Sequence, residues 1–256
     1  MRSRFFPATL TEQVTGLFLC CLFNGMAWAT ESDFYETPAD KAQAITSLRT
    51  FEALYKTSAL GMTLDLKRSL TQEGDTYTLS SRGKNILVNM NESADFRIVD
   101  GAIEGIRFDS KIKSLKTNKR AVRFDQSAGV IDSMKREAWT RHPWEAGVLD
   151  RFSQQQQLRL TLIGEDEPPE TLEFRVVDGP KVSDKRWQRL TDEVIETPLG
   201  QIRTVKYRAV HTNPDKRASE IWLAPKLDYL MVKTVHVERS STVKVTIKSL
   251  NWLDGA

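Results

Sequence analysis

The sequence predicts an all-β protein, mainly antiparallel, built as one strongly curved sheet with a single short helix packed against it or plugging it. Three observations carry this. Apolar and polar residues alternate with a period of two through well-separated runs, the mark of strands with one face on a core and the other in water. Turn residues fall between the runs at short intervals, which favours hairpins over helix crossovers. One segment, Trp144 to Leu162, breaks the pattern with a run of glutamines.

The first stretch is an address. Arg2 and Arg4 give a positive start, and Val14 to Phe23 is apolar but too short to span a bilayer as a helix. Ala27-Trp28-Ala29 puts small residues, Ala27 and Ala29, at the two positions that signal peptidase reads. Residues 1–29 are therefore expected to be a cleaved secretory signal peptide. Leu19 and Cys20 stand where lipoprotein processing wants a small residue, so neither Cys20 nor Cys21 is expected to carry lipid. Both cysteines lie inside this segment. The mature chain then has none, which removes thiol nucleophiles and thiolate metal ligands and suits an oxidising compartment. Nothing further along is apolar enough to anchor the chain, so the expected location is the periplasm, and the mature form is not an integral membrane protein.

Residues 30–47 are polar, carry Pro38, and read as a leader onto the fold. The strands follow. Met62, Leu64 and Leu66 alternate with polar residues, as do Leu172, Phe174 and Val176, then Val205, Tyr207 and Ala209, and last Val243, Val245 and Ile247. Between them, Glu73-Gly74-Asp75, Asp100-Gly101, Asp178-Gly179-Pro180 and Asn213-Pro214-Asp215 are turn signals. Val148, Leu149 and Phe152 are spaced for a helical face, so a helix is expected to open near Gly147 and to give way to a strand at Leu158. With no repeat or internal linker, residues 48–256 read as a single domain.

Composition excludes several functions. The chain has 256 residues, 37 basic and 34 acidic, for a net charge of +3. That balance does not announce a nucleic-acid binder. His142, His211 and His236 form no ligand motif, so isolated structural histidines are expected and no metal or other cofactor is implied. No nucleophile elbow is present, and the 13 glycines are scattered through turns. Ser153, in Asp150-Arg151-Phe152-Ser153, reads as a helix cap or packing contact. Nothing suggests an enzyme.

Two features admit binding roles. Lys111 to Arg120 holds five positive charges, Lys111, Lys113, Lys116, Lys119 and Arg120. These suit contact with an anionic surface, although a solvated hairpin with Ile112 and Leu115 facing inward explains them as well. Trp139, Trp144 and Trp222 are candidates to line a pocket for an apolar ligand, with core packing as the plainer explanation.

From Thr197 onward the order of pieces is specific: Thr197-Pro198-Leu199-Gly200, a strand with Lys206 and Arg208, Ile221-Trp222-Leu223-Ala224-Pro225, then Tyr229-Leu230. Upstream stand Phe51, Tyr55, Gly61 and Met62, and Asp150 to Ser153 with Gln157-Leu158. Together these resemble the domain of unknown function 3108 family over residues 48–251. Met231 departs from the proline common in that family. The resemblance implies an exported protein with a half-open antiparallel barrel and no established activity. Similar unclosed barrels carry lipoproteins through the periplasm. The reading that follows is a non-enzymatic periplasmic carrier of an apolar, lipid-like ligand. The alternative is an envelope interaction or assembly factor working through protein contacts. A hydrolase of envelope polymers comes last.

Overall fold

The computed structural model describes residues 47–253 apart from 60, 61, 116 and 240. Ala27 and Ala29 with the rest of the expected signal peptide, nearly all of the leader, and Lys116 lie outside the described residues.

Strands β1 (Phe51–Ala59), β2 (Met62–Glu73), β3 (Thr76–Lys84), β4 (Asn89–Val99), β5 (Ala102–Lys113), β6 (Thr117–Asp125), β7 (Val130–Lys135) and β8 (Ala138–Pro143) run up and down, each paired antiparallel with the next. Then come β9 (Val148–Asp150), helix α1 (Gln154–Gly164) and β10 (Thr171–Asp178). A second meander follows: β11 (Lys181–Thr197), β12 (Gly200–Ala209), β13 (Arg217–Ala224), β14 (Leu230–Glu238) and β15 (Ser241–Trp252). Strand β15 returns to pair with β1, so the described strands form one sheet, running from β8 through β1 and β15 to β9. The sheet is not closed by a ladder between its two ends.

Among the described strands only β9 and β10 pair in parallel, and α1 is the crossover such a pair requires. Here the expected pattern of short antiparallel connections fails. The expected helix is corrected too. Val148 and Leu149 belong to β9, and α1 starts at Gln154 and continues through Leu158 to Gly164. The misleading signal was the alternation of Leu158, Leu160 and Leu162. On a helix, positions two apart point in nearly opposite directions, yet all three leucines are buried. From Phe152 to Gly164 no residue is exposed. An enclosed helix has no polar face to reveal it by amphipathic spacing.

Irregularities bend the sheet around this helix. The ladders shift register at Leu54/Tyr55, Asp95/Phe96, Leu190/Glu193 and Trp222/Leu223, and bulges of this kind increase bend and twist. Beside the second of them, Gly105 leaves room for the Phe124 ring, which a Cβ there would meet at 2.5 Å. The concave face holds the core: Phe51, Tyr55, Leu70, Leu79, Phe96, Ile103, Phe108 and Ile131 on one wing, Val205, Tyr207, Ile221 and Leu223 on the other. Each such side chain contributes ~1.5–3 kcal/mol by leaving water.

Side chains draw the two ends together. Asp178, at the end of β10, meets Arg120 of β6 and Lys135 of β7, the latter at 3.2 Å. Burial raises the Asp178 carboxyl, but the bonds and charges of Arg120 and Lys135 outweigh it and hold it below the usual range. The Gly179 amide donates to Ser133 Oγ at 2.8 Å, and His142 Nε2 donates to the Gly179 carbonyl at 2.9 Å. His142 is supplied by β8.

Candidate functional site

The concave face is where the fold places its least ordinary chemistry, and α1 is anchored there from its first turn. Asp150 is fully buried. Its Oδ1 accepts the Phe152 and Ser153 amides at 2.7 and 2.9 Å, and its Oδ2 accepts the Ser153 hydroxyl at 2.7 Å. Ser153 stands at the N-terminal boundary of α1, but its side chain caps no helix amide; Asp150 takes that part, and the Ser153 hydroxyl packs against it as a donor. Burial raises the Asp150 carboxyl, and these hydrogen bonds offset the rise only in part. Beyond the cap, Gln157 Oε1 accepts the Ile103 amide of β5 at 2.7 Å.

Two arginines are buried here, Arg159 on the helix and Arg68 beside it. Arg159, 1% exposed, donates Nε to the Asp228 carbonyl and Nη1 to Gln156 Oε1, each at 3.0 Å. Its Nη2 has no partner, and its guanidinium lies 5.5 Å from the centre of the Phe51 ring. Arg68 of β2 pairs in register with Ala53, which puts it on the inner face with Tyr55. Its guanidinium lies 4.9 Å from the centre of the Phe152 ring, and no hydrogen bond or ion pair engages it among the described residues. Burial lowers both guanidinium pKa values, that of Arg159 to about 10. Tyr55, whose hydroxyl donates to the Met231 carbonyl at 2.8 Å, is pushed up to about 12 by burial, with Arg68 and Arg159 pulling the other way. A buried charge without a paired opposite charge is costly.

Three of the buried polar atoms without partners belong to α1: Gln154 Nε2, Gln155 Oε1 and Arg159 Nη2. A helix placed only to fill a core would be expected to carry apolar residues at these positions. Where the sheet ends approach each other, a cleft of about 210 Å³ opens between β5–β6 and the segment before β9, lined by Ile103, Gly105, Phe124, Trp144, Gly147 and Val148.

The three candidate tryptophans are not brought together. Trp144 is at this cleft, Trp139 is 54% exposed on β8, and Trp222 is buried on the opposite face of β13 from Ile221. There Trp222 donates to Glu193 Oε2 at 2.8 Å, with the Lys206 and Lys233 ammonium groups 4.5 and 4.0 Å from its ring centre. Among the candidate basic residues, Lys111 and Lys113 are exposed, Lys119 pairs with Glu137 at 2.8 Å, and Arg120 is held by Asp178. Leu115 does not face inward as expected. It is fully exposed at the hairpin tip, while Ile112 is half-buried.

Two histidines expected to be isolated share a partner. Ser219 Oγ lies 3.1 Å from His211 Nε2 and 2.7 Å from His236 Nδ1. Among the described residues no three His, Cys, Asp or Glu side chains gather as a metal site, and no helix is long and apolar enough to cross a membrane.

Arg68 had a readable signal. Leu64, Leu66 and Leu70 share its parity in one alternating strand, which already turns the arginine inward. Arg159, set between two leucines in a segment with mixed periodicity, had none.

Comparison with known proteins agrees with this architecture. No curated protein matches the sequence. The crystal structure of a beta-barrel-like protein of domain of unknown function DUF1849 from Brucella abortus is similar at a TM-score of 0.52 and 10% identity, over 81% of this chain and 99% of that one. At that identity the likeness concerns the fold alone. Lipoprotein LppX of Mycobacterium tuberculosis matches at a TM-score of 0.26 and 11% identity, over 86% of this chain and 94% of that one, too low a score to carry an argument. The family described as protein of unknown function (DUF3108) matches residues 51–248, from the first strand into the last, and the chain belongs to that family.

Proposed function

We propose that the protein is an exported, non-enzymatic carrier of the cell envelope. It holds an amphiphilic, lipid-like ligand in the concave face, and α1 is a plug that the ligand displaces. The observation that carries this is the composition of α1: a helix with no exposed residue, rich in glutamine, with three orphaned polar atoms. Each orphan costs about 1–3 kcal/mol, so the plugged state is held against a penalty that a ligand can relieve. The cleft beside Trp144 is smaller than the ~300–1,000 Å³ of typical ligand sites. It serves as an entrance, and room for an acyl chain comes from moving α1. Arg68 remains on the sheet wall when the helix leaves and gives the ligand's head group a cation to meet, which favours an anionic amphiphile. Export to the periplasm is supported by the expected signal peptide and by the absence of cysteine after residue 21.

Native mass spectrometry of the mature protein purified from the periplasm, followed by solvent extraction, tests the reading. A co-purifying lipid mass supports it. A bare protein mass, together with a thermal midpoint indifferent to long-chain fatty acids, overturns it.

A further inference from the structure

The up-and-down order sends the β3–β4 and β5–β6 turns to the same end of the sheet, and register sets them level. Lys84 pairs with Asn89, Asn89 with Lys113, and Lys113 with Thr117, in one row across four strands. Beyond that row Ile86 is 97% exposed, Leu87 is exposed, and Leu115 is fully exposed. The first tip is held in shape. Asn85 Oδ1 accepts the amides of Leu87 and Val88 at 2.9 and 2.7 Å, and its Nδ2 donates to the Thr63 carbonyl at 3.2 Å. Turns of this kind ordinarily carry polar residues; here a well-formed turn presents isoleucine and leucine to solvent.

The described lysines at the tips are unpaired. Lys84, Lys111 and Lys113 are exposed, and none forms an ion pair among the described residues. The nearby carboxylates are committed elsewhere: Glu137 to Lys119, Asp65 to Lys248, and Glu92 to the Ser110 hydroxyl. The two apolar tips are separated by two strand spacings, ~10 Å, and form no continuous patch. Separate apolar fingers between lysines suit a fluid anionic surface better than the single complementary pocket of a protein partner.

We infer that this end of the sheet docks on an anionic lipid bilayer, with Ile86, Leu87 and Leu115 entering the boundary between head groups and acyl chains while Lys84, Lys111 and Lys113 meet lipid phosphates. The surface lies at the ends of strands whose middles line the concave face, and it does not depend on what that face carries.

Sedimentation of the mature protein with vesicles tests it, using phosphatidylcholine alone and phosphatidylcholine with phosphatidylglycerol at one lipid in three. Binding is expected to the anionic vesicles, at least tenfold above the neutral ones, and to weaken as salt rises. Leu115→Asp, and separately Ile86→Ser with Leu87→Ser, are expected to cut binding tenfold or more, as is Lys111→Glu with Lys113→Glu. All of these positions are exposed, and circular dichroism checks that the sheet is retained. Leu199→Asp, in the β11–β12 turn at the other end, is expected to leave binding unchanged. Equal binding to both vesicle types, or insensitivity to the tip substitutions, overturns the inference. So does a protein cross-linked at position 115 in cells when vesicle binding is absent. Lipid-free protein that still binds anionic vesicles would uphold this inference even if the carrier reading failed.

Discussion

Gly179 approaches Lys135 so closely that a Cβ on the glycine would lie 2.6 Å from the lysine Cβ. This contact brings the β10–β11 turn onto β7, and with it the two unpaired ends of the sheet come together. Gly179 also has a φ of +60°, where an L side chain is strained. Gly179→Ala is expected to lower stability by about 2 kcal/mol or more, from the backbone and the forced displacement combined. Urea denaturation followed by tryptophan fluorescence reads this directly. An unchanged midpoint would mean that the ends are not held at this turn.

Arg68 has a ring beneath it and no carboxylate bonded to it among the described residues, with Glu92, two strands away in the same row, as an anion that acts on it. Arg68→Met keeps much of the packing and removes a buried, unpaired charge. It is expected to raise the stability of the ligand-free protein by on the order of 1 kcal/mol and to reduce retention of an anionic amphiphile. A neutral amphiphile of the same chain length should be retained as before. A destabilised variant would give Arg68 a purely structural role.

Asp150 offers a test by pairs of substitutions. Ala removes the acceptors for two amides and a hydroxyl, at an expected cost of about 1–3 kcal/mol. Asn keeps an acceptor for the amides and removes the buried charge. Because burial raises the folded carboxyl pKa, the stability that Asp150 contributes is fully present below the unfolded value of about 3.9 and is lost as pH rises through the folded value. Asp150→Asn is therefore expected to match or exceed the parent at pH 7 in a thermal melt, with Asp150→Ala well below both.

His211 titrates low because it is partly buried, with Arg217 and His236 adding repulsion. A base whose folded pKa is depressed favours folding above its unfolded value, about 6.5, and loses that stability as pH falls through the folded value. Stability is expected to fall between pH 7 and pH 5, and His211→Asn is expected to flatten that slope. Melting curves at closely spaced pH values, with His236→Asn beside them, show which ring carries the effect.

The strands were legible because alternation is a local property. Leu64, Leu66 and Leu70 announce an inner face without reference to any other strand, and the turns around Gly74, Gly101 and Gly179 fall where their residues say. The helix was blurred because its environment is not local. Leu158, Leu160 and Leu162 read as a strand until the concave sheet that leaves no residue of the helix exposed is in view. Contacts between distant segments were hidden for the same reason. Nothing near His211 in sequence points to His236, and nothing near Arg159 points to Phe51. Leu115 misled because apolar residues are assumed to face inward, an assumption that surfaces made for contact do not obey.

The pairing of β1 with β15 sets the order in which this protein can be completed. Each wing is a meander whose neighbours meet as the chain emerges, but the ladder from Phe51 to Ala59 joins them only through the last strand, Ser241–Trp252. A chain that emerges amino terminus first therefore has β1 without its second neighbour until almost the whole domain has emerged, and closing so long a loop is slow. During that interval the central strand of the finished sheet is an edge, presenting the backbone groups on which unfolded chains aggregate. The vulnerable moment of this fold falls just before β15 is added, and a truncation within β15 would make it permanent.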